Sequence, residues 1–516
     1  MSAVRPVFGS KGMVVSGHPA ASLAAWNALG AGGSVADAAI AAGAVLTVVL
    51  PNAVTVAGDA FILVHDARTG KTTGLNASGP SPAAATAARF EKGIAQRGAL
   101  SCTMPGLVAG WHSLSERHGR LAWKDLFAPA IALAGEGFPV STGYARASHV
   151  YREGLGSDPG SRDLFLSGGA PFSAGAMLRQ PALARSLAEI AADGPRAFYE
   201  GRIAQSLAKC VQSRGGILDA QDFRGYAPEW VEPIATAYRG LEVRAMPPNS
   251  YGLYLLLQLA ALGDRAWKSG DQLTPARFAA MIRAAQAAFE IGDPAVADPR
   301  TATPSPTELL CAKGIQSLRA RMEKAPPKAM NSGGTAVVSV VDAEGNAAII
   351  VQSIFLVFGS FVADAETGIL LNNRMIGFCT EAGHPNQVGP KKRPAHTLCP
   401  AMAFEGGELR MVLGTPGGPG QTITLTQLLE NRYALGMPLA QAIEAPRWSK
   451  DLGADIVLEA TLPDTLAGEL GKLGITAGRT TADSPYFGSA EAIERAPDGT
   501  LTGAADFRRD AFVVGG

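Results

Sequence analysis

Thr335 follows Gly333-Gly334 and opens the β-branched run Ala336-Val337-Val338-Ser339-Val340-Val341. A threonine hydroxyl is a weak nucleophile unless a base sits beside it. One economical base is the threonine's own α-amine, which becomes free only if the chain is cut just before Thr335. With a pKa of roughly 7.7–8.0, such an amine is partly neutral near pH 7 and able to take a proton. The chemistry would be attack on a carbonyl by a residue that the chain itself uncovers. Alone, the tripeptide is better read as a turn entering a strand, so the other polar motifs must decide its meaning.

A second hydroxyl lies in Gln352-Ser353, on the return strand of the hairpin that Thr335 begins. Ser353 can lie across from Thr335 and orient it, or be a satisfied polar group in a sheet. Gly414-Thr415-Pro416-Gly417-Gly418-Pro419-Gly420 lies between the expected strand Arg410-Met411-Val412-Leu413 and a helical pattern. Strand, glycine-rich turn and helix start make an anion cradle, because backbone N–H groups there face negative charge. Three uses stand open. A phosphate loop would need the Lys-Ser/Thr pair, which is missing. An oxyanion hole would use the N–H groups of Gly417 and Gly418. A plain tight turn would need glycine for steric reasons only.

Lys391-Lys392-Arg393 runs into Pro394-Ala395-His396-Thr397, a carboxylate site or a solvated loop. Asn372-Asn373-Arg374 could aim a guanidinium fork at a substrate carboxylate, or pair Arg374 with Asp364 or Glu366. Neither a Gly-x-Ser-x-Gly elbow nor a His-Glu-x-x-His helix occurs.

The elements that must hold these residues follow from periodicity. Residues 19–50 are Ala-rich and helical, interrupted at 30–33, with Ser34 capping the second helix and Asp37 in its first turn. Phe61-Ile62-Leu63-Val64-His65 predicts a buried strand, and Asp66-Ala67-Arg68-Thr69-Gly70 a hairpin turn into another. From about 105 to 300 the texture is mainly helical, with long patterns at 186–211 and 273–290. The Pro-rich segment 298–334 carries one short amphipathic piece and is the linker candidate. It would let a new terminus at Thr335 move away, and would equally serve as an interdomain loop. Beyond it the texture is β: strands at 336–341 and 347–354 around the turn Asp342-Ala343-Glu344-Gly345-Asn346, then segments near 361–371, 399–404 and 409–413. Helical patterns at 421–434 and 438–446 follow.

Composition narrows the class. The 516 residues are 47% apolar and 17% charged, which is globular and long enough for two to four domains. Lys+Arg and Asp+Glu balance at 45 each, so nothing points to nucleic acid or anionic lipid. The five cysteines are scattered and form no Cys-x-x-Cys or Cys/His cluster, which argues against a zinc site or a disulfide framework. The first residues lack the apolar stretch of a signal peptide, and the apolar run 38–50 is too short to span a bilayer. A cytoplasmic protein without membrane partners is expected.

Taken together the motifs resemble the γ-glutamyltransferase (gamma-glutamyltranspeptidase) family of N-terminal-nucleophile hydrolases, along essentially the whole chain. The likeness rests on Gly12-Met13-Val14-Val15-Ser16, on Gly32-Gly33-Ser34-Val35-Ala36-Asp37-Ala38-Ala39 and on Pro105-Gly106-Leu107-Val108-Ala109-Gly110-Trp111. It continues through Ala197-Phe198-Tyr199, Tyr238-Arg239-Gly240 and Met246-Pro247-Pro248. It is closest at Thr335, Phe358-Gly359, Thr367-Gly368-Ile369-Leu370-Leu371-Asn372-Asn373, Gly389-Pro390-Lys391-Lys392-Arg393-Pro394, Pro416-Gly417-Gly418 and Glu444-Ala445-Pro446-Arg447-Trp448.

The resemblance implies an α+β fold, a four-layer αββα sandwich. It implies a large subunit, 1–334, and a small one, 335–516, that stay associated, with a homodimer of the processed unit left open. Thr335 would be the nucleophile, Ser353 its supporting hydroxyl, and Gly417 and Gly418 the oxyanion hole, with no cofactor or metal. The glutamyl pocket is altered. The arginine expected for the α-carboxylate falls near Ser78, where none stands. The groups that hold the α-amine fall on Phe355, Arg374 and Gly377, and the paired serines on His396-Thr397. An ammonium would be repelled by Arg374. Gln352-Ser353-Ile354, Asn373-Arg374 and His396-Thr397 look more like the branch with oxamate amidohydrolase and cephalosporin-acylase-like proteins. The expected activity is cleavage of a small carboxylated amide, oxamate-like by preference. Alternatives are a genuine γ-glutamyltransferase or glutathione hydrolase, a glutaryl or cephalosporin acylase, an unprocessed anion-binding protein, and a nucleotide-dependent enzyme.

Overall fold

The run after Thr335 is apolar at successive positions, so both of its faces must be covered. The computed structural model describes residues 4–263, 265–268, 270–322, 334–450, 456–480 and 487–516, and it covers both faces. The strands that do so are, in chain order, β1 (Val7–Gly9), β2 (Gly12–Ser16), β3 (Asp59–Asp66), β4 (Lys71–Ala77), β5 (Glu229–Val231), β6 (Ile234–Tyr238), β7 (Leu241–Ala245), β8 (Gly334–Asp342), β9 (Ala347–Phe355), β10 (Ala401–Glu405), β11 (Glu408–Gly414), β12 (Glu491–Arg495), β13 (Leu501–Ala505) and β14 (Phe512–Gly515).

They form two seven-stranded sheets, one in the order β14-β2-β8-β9-β3-β4-β5 and the other β1-β13-β12-β11-β10-β7-β6. Val337, Val341, Ile349, Val351, Phe61 and Leu63 point between the sheets and meet Met402, Val412 and Ile493. Their neighbours Val338, Val340, Ala348, Ile350 and Ile62 point the other way, onto helices α1 (Pro19–Gly30) and α2 (Val35–Val49). The second sheet turns Val243, Ala401, Met411 and Leu413 onto α3 (Gly252–Leu262) and α5 (Gly420–Leu429). The layers are therefore helix, sheet, sheet, helix. A further core joins α3 to α4 (Pro275–Gly292).

Local chemistry sets the element ends. Ser34 and Asp37 cap α2 reciprocally, and Asp37 Oδ2 also accepts the Arg120 and Leu121 amides at 2.8 and 3.2 Å. The β8–β9 hairpin closes where Asp342 takes both the backbone and the side-chain N–H of Asn346 at 2.8 Å. Gly345 there has a φ of +89°, which glycine adopts without strain.

Several expectations need correction. The stretch 105–300 is mainly helical as expected, but it also holds β5, β6 and β7, which were not expected. The pattern at 186–211 is broken by Gly194-Pro195 and Gly201 into helices Pro181–Asp193, Pro195–Tyr199 and Arg202–Ser213. Segment 298–334 contains two short helices, Pro306–Leu310 and Ala312–Arg321, while its residues 323–333, Gly333 included, lie outside the described ones. Near 361–371 only the two-residue strands Ala363–Asp364 and Ile369–Leu370 form. The pattern 421–434 changes from α-helix to a π-helical turn at Glu430–Ala434. Among the described residues, no helix is long and apolar enough to cross a membrane.

Candidate active site

Thr335 sits at the start of β8, buried to 3% exposure, inside an irregularity of the ladder. Gly334 pairs with Phe355 and Ala336 with Gln352, so Ser353 and Ile354 of β9 together oppose the single residue Thr335, and the bulge lies on β9. Its Oγ1 donates back to the Gly334 carbonyl at 2.7 Å. Ser353 Oγ donates to the same carbonyl at 2.5 Å and accepts the Phe355 amide at 2.7 Å. The two hydroxyls expected to cooperate thus converge on one peptide oxygen, that of the bond preceding Thr335.

The glycine turn is built as expected. Gly417 and Gly418 have φ values of +130° and +56°. Thr415 pins the turn by donating to the Pro416 carbonyl at 2.8 Å and accepting the Ser489 amide at 3.1 Å. One residue past the turn, inside α5, Gln421 Nε2 donates to Thr335 Oγ1 at 3.3 Å, which ties this loop to the threonine.

Arg374 is fully buried, and its guanidinium lies 4.2 Å from the centre of the Phe355 ring. Phe355 has a φ of +81°, a strained value for a side-chain-bearing residue, and pairs with Gly334 beside Thr335. The acid that faces Arg374 is Asp59, not Asp364 or Glu366. Asp59 Oδ2 lies 3.5 Å from Arg374 Nε and 3.4 Å from His396 Nε2, while Oδ1 accepts the Gly79 amide at 2.7 Å. Asp364 is instead bonded to Ser206 and Thr367, and Glu366 to Arg202. Beyond its ion pair with Asp59, none of the Arg374 nitrogens has a hydrogen-bond acceptor among the described residues. Burial lowers Arg374 to about 10, against the pull of Asp59, so it is charged at neutral pH. Burial and then the Arg374 charge press His396 down to about 4, so its ring is neutral.

Other expected groups are placed differently. Asn373 spends its side chain on the Leu356 amide and the Gln96 carbonyl, at 3.0 and 2.7 Å, and so shapes the loop rather than facing a substrate. Thr397 is buried with its hydroxyl unpartnered. The cation run is structural: Lys392 Nζ caps the Pro385 and Gln387 carbonyls, and Arg393 pairs with Glu229. Arg393 Nε also donates to the Ser78 carbonyl at 3.1 Å, so a guanidinium does reach Ser78, from a distant segment. Asp59 and Gln421 were not anticipated. An acid opening the apolar run of β3 was the one signal for Asp59.

Residues 21–516 match the family model described as gamma-glutamyltranspeptidase. The chain belongs to the gamma-glutamyltranspeptidase family. It is 34% identical to the glutathione hydrolase-like YwrD proenzyme of Bacillus subtilis, over 99% of both chains. It is 31% identical to the oxamate amidohydrolase proenzyme of Klebsiella pneumoniae, over 98% of both. The crystal structure of cephalosporin acylase from Bacillus halodurans superposes with a TM-score of 0.92 at 30% identity, covering 99% of this chain and 97% of that one. The αββα fold is therefore that of N-terminal-nucleophile hydrolases, and the chain is an enzyme of amide-bond chemistry. These relatives split between glutathione hydrolase, acylase and amidohydrolase, so the family leaves the substrate open.

Proposed function

We propose that this enzyme cuts its own chain before Thr335 and then hydrolyses a small amide that carries a carboxylate. The observation that carries the first half is the convergence of the Thr335 and Ser353 hydroxyls on the Gly334 carbonyl. A carbonyl held by two donors is polarised for attack, and Thr335 Oγ1, 2.7 Å from its oxygen and on the residue whose nitrogen would leave, is placed to deliver it. The relatives named as proenzymes in Bacillus subtilis and Klebsiella pneumoniae support a maturing chain. The cut would leave β8 and β9, from 335–516, between β2 and β3, from 1–334, so one shared sheet keeps the fragments together.

In the mature enzyme Thr335 Oγ1 bonds to the substrate carbonyl carbon and passes its proton to its own α-amine. The oxyanion rests on the N–H groups of Gly417 and Gly418. The C–N bond breaks, and the amine hands the proton to the departing nitrogen. Water then opens the acyl ester, giving the acid and restoring the hydroxyl.

The substrate class rests on Arg374. Among the described residues its buried nitrogens are donors without hydrogen-bond acceptors, and a carboxylate is the ligand that satisfies them in pairs. Phe355 carries Arg374 beside Gly334 in the ladder, so carboxylate and scissile carbonyl must be close, which favours an oxamate-like amide. A second reading is favoured by Asp59. An acid beside Arg374 complements an amino-acid zwitterion, as a γ-glutamyl substrate would require. Asp59 is already faced by Arg374, His396 and the Gly79 amide, so a ligand that brings an acceptor carboxylate and no ammonium remains the better fit.

Two measurements test this. Intact mass of the purified protein should show fragments 1–334 and 335–516, and a persisting full-length chain in wild type as in Thr335→Ala would refute processing. Turnover should be compared across γ-glutamyl, glutaryl and oxamate amides. Efficient γ-glutamyl hydrolysis with no oxamate turnover would transfer the assignment to the second reading.

A further inference from the structure

Gln421 is fully buried, and its two amide ends are assigned by chemistry rather than by shape. Its Oε1 receives the Cys399 backbone N–H at 3.1 Å. That group can only donate, so Oε1 must face it, and Nε2 is left to donate to Thr335 Oγ1 at 3.3 Å. The hydroxyl of Thr335 therefore always meets a donor on the α5 side. Its single proton cannot point that way. In the uncut chain the proton goes to the Gly334 carbonyl, 2.7 Å away.

We infer that Gln421 orients the nucleophile: by donating to Thr335 Oγ1, it forbids the hydroxyl proton from turning into the protein and directs it at the base. Once the chain is cut, Gly334 no longer holds that proton, and the α-amine on Thr335 becomes its acceptor. The inference rests on Thr335 being the nucleophile, and adds a determinant outside the glycine turn and the Ser353 hydroxyl. It makes no demand on which amide is cleaved.

Two substitutions in the full-length protein test it. Gln421→Leu removes the donor and keeps the size; kcat and the rate of self-cutting should each fall about 10-fold or more, with KM little changed, the scale of one lost hydrogen bond. Gln421→Glu separates orientation from folding. Its Oε1 still receives the Cys399 amide, but when ionised its other oxygen accepts the Thr335 proton and competes with the α-amine. Its activity should fall as pH rises through the titration of the new acid. Wild-type activity should rise with pH as the amine, with a pKa of roughly 7.7–8.0, deprotonates. N-terminal sequencing of the small fragment, and mass labelling by an electrophilic amide analogue, are read in parallel. A wild type cut and labelled at Thr335, with both variants matching its kcat and pH profile, overturns the role of Gln421 alone. A wild type neither cut nor labelled at Thr335 overturns this inference together with the nucleophile assignment.

Discussion

Replacing Arg374 with methionine keeps most of the side chain's apolar stem and deletes the charge, together with the guanidinium's stacking on Phe355. Two consequences can be worked from the contacts. The substrate loses a two-pronged, charge-assisted pair, and hydrogen bonds to charged groups contribute roughly 1.5–3 kcal/mol each. Part of the second bond is offset by desolvation, so about 3 kcal/mol of transition-state binding should go, which is roughly 100-fold in kcat/KM. The fold also suffers. Asp59 is fully buried, and among the described residues Arg374 is the only lasting charge paired with it, because His396 is neutral. Removing one partner of a buried pair costs about 3–5 kcal/mol. Asp59→Asn in the same chain should restore much of that stability without restoring catalysis. The assay is kcat/KM for a carboxylated amide and for its methyl ester, with urea unfolding of both variants. The expected pattern is a large loss for the acid, a small one for the ester, and rescue of stability alone by the double substitution. Equal losses for acid and ester would show that Arg374 only supports the fold, and the carboxylate assignment would fall.

His396 makes the fold sensitive to mild acid. Its folded pKa, about 4, lies below the unfolded value of about 6.5, so the unfolded chain binds more protons between them. Stability from this group is therefore intact above pH 6.5, lost as pH falls towards 4 and constant below; the total is about 3 kcal/mol, and His396→Asn should flatten that part of a urea-midpoint against pH curve. Gly79→Ala would put a methyl 1.4 Å from the Met104 carbonyl oxygen and displace the amide that holds Asp59 Oδ1, so a loss above about 4 kcal/mol is expected by urea unfolding, with activity lost as well. Asp37→Asn weakens a carboxylate oxygen that takes donors from Ser34, Arg120 and Leu121; unfolding should become easier by about 2 kcal/mol while kcat per folded molecule stays the same, and an equal drop in kcat would contradict a purely structural role.

Local sequence was informative where local physics suffices. The Ser34–Asp37 cap, the turn at 342–346 and the β8–β9 hairpin are fixed by groups within a few residues of each other. What failed was weakly patterned. β5 and β6 are short strands at the edges of their sheets, with one side unpaired, so they need no long apolar run to form. The helical reading of 105–300 passed over them for that reason.

The sequence by itself determined which groups are available: a threonine after Gly-Gly, a serine one hairpin away, glycines that tolerate positive φ, and an arginine and a histidine whose true acid partner lies far off in the chain. Tertiary structure decided what those groups face. Asp59 meets His396 across 337 positions, and Gln421 meets Thr335 across 86. No periodicity or spacing encodes such pairs, because they depend on how one sheet registers on another and where a helix starts beyond a turn. The β9 bulge opposite Thr335 is the same kind of fact. A one-residue slip in the ladder, which the strand pattern cannot reveal, is what brings the hydroxyls of Thr335 and Ser353 to one carbonyl.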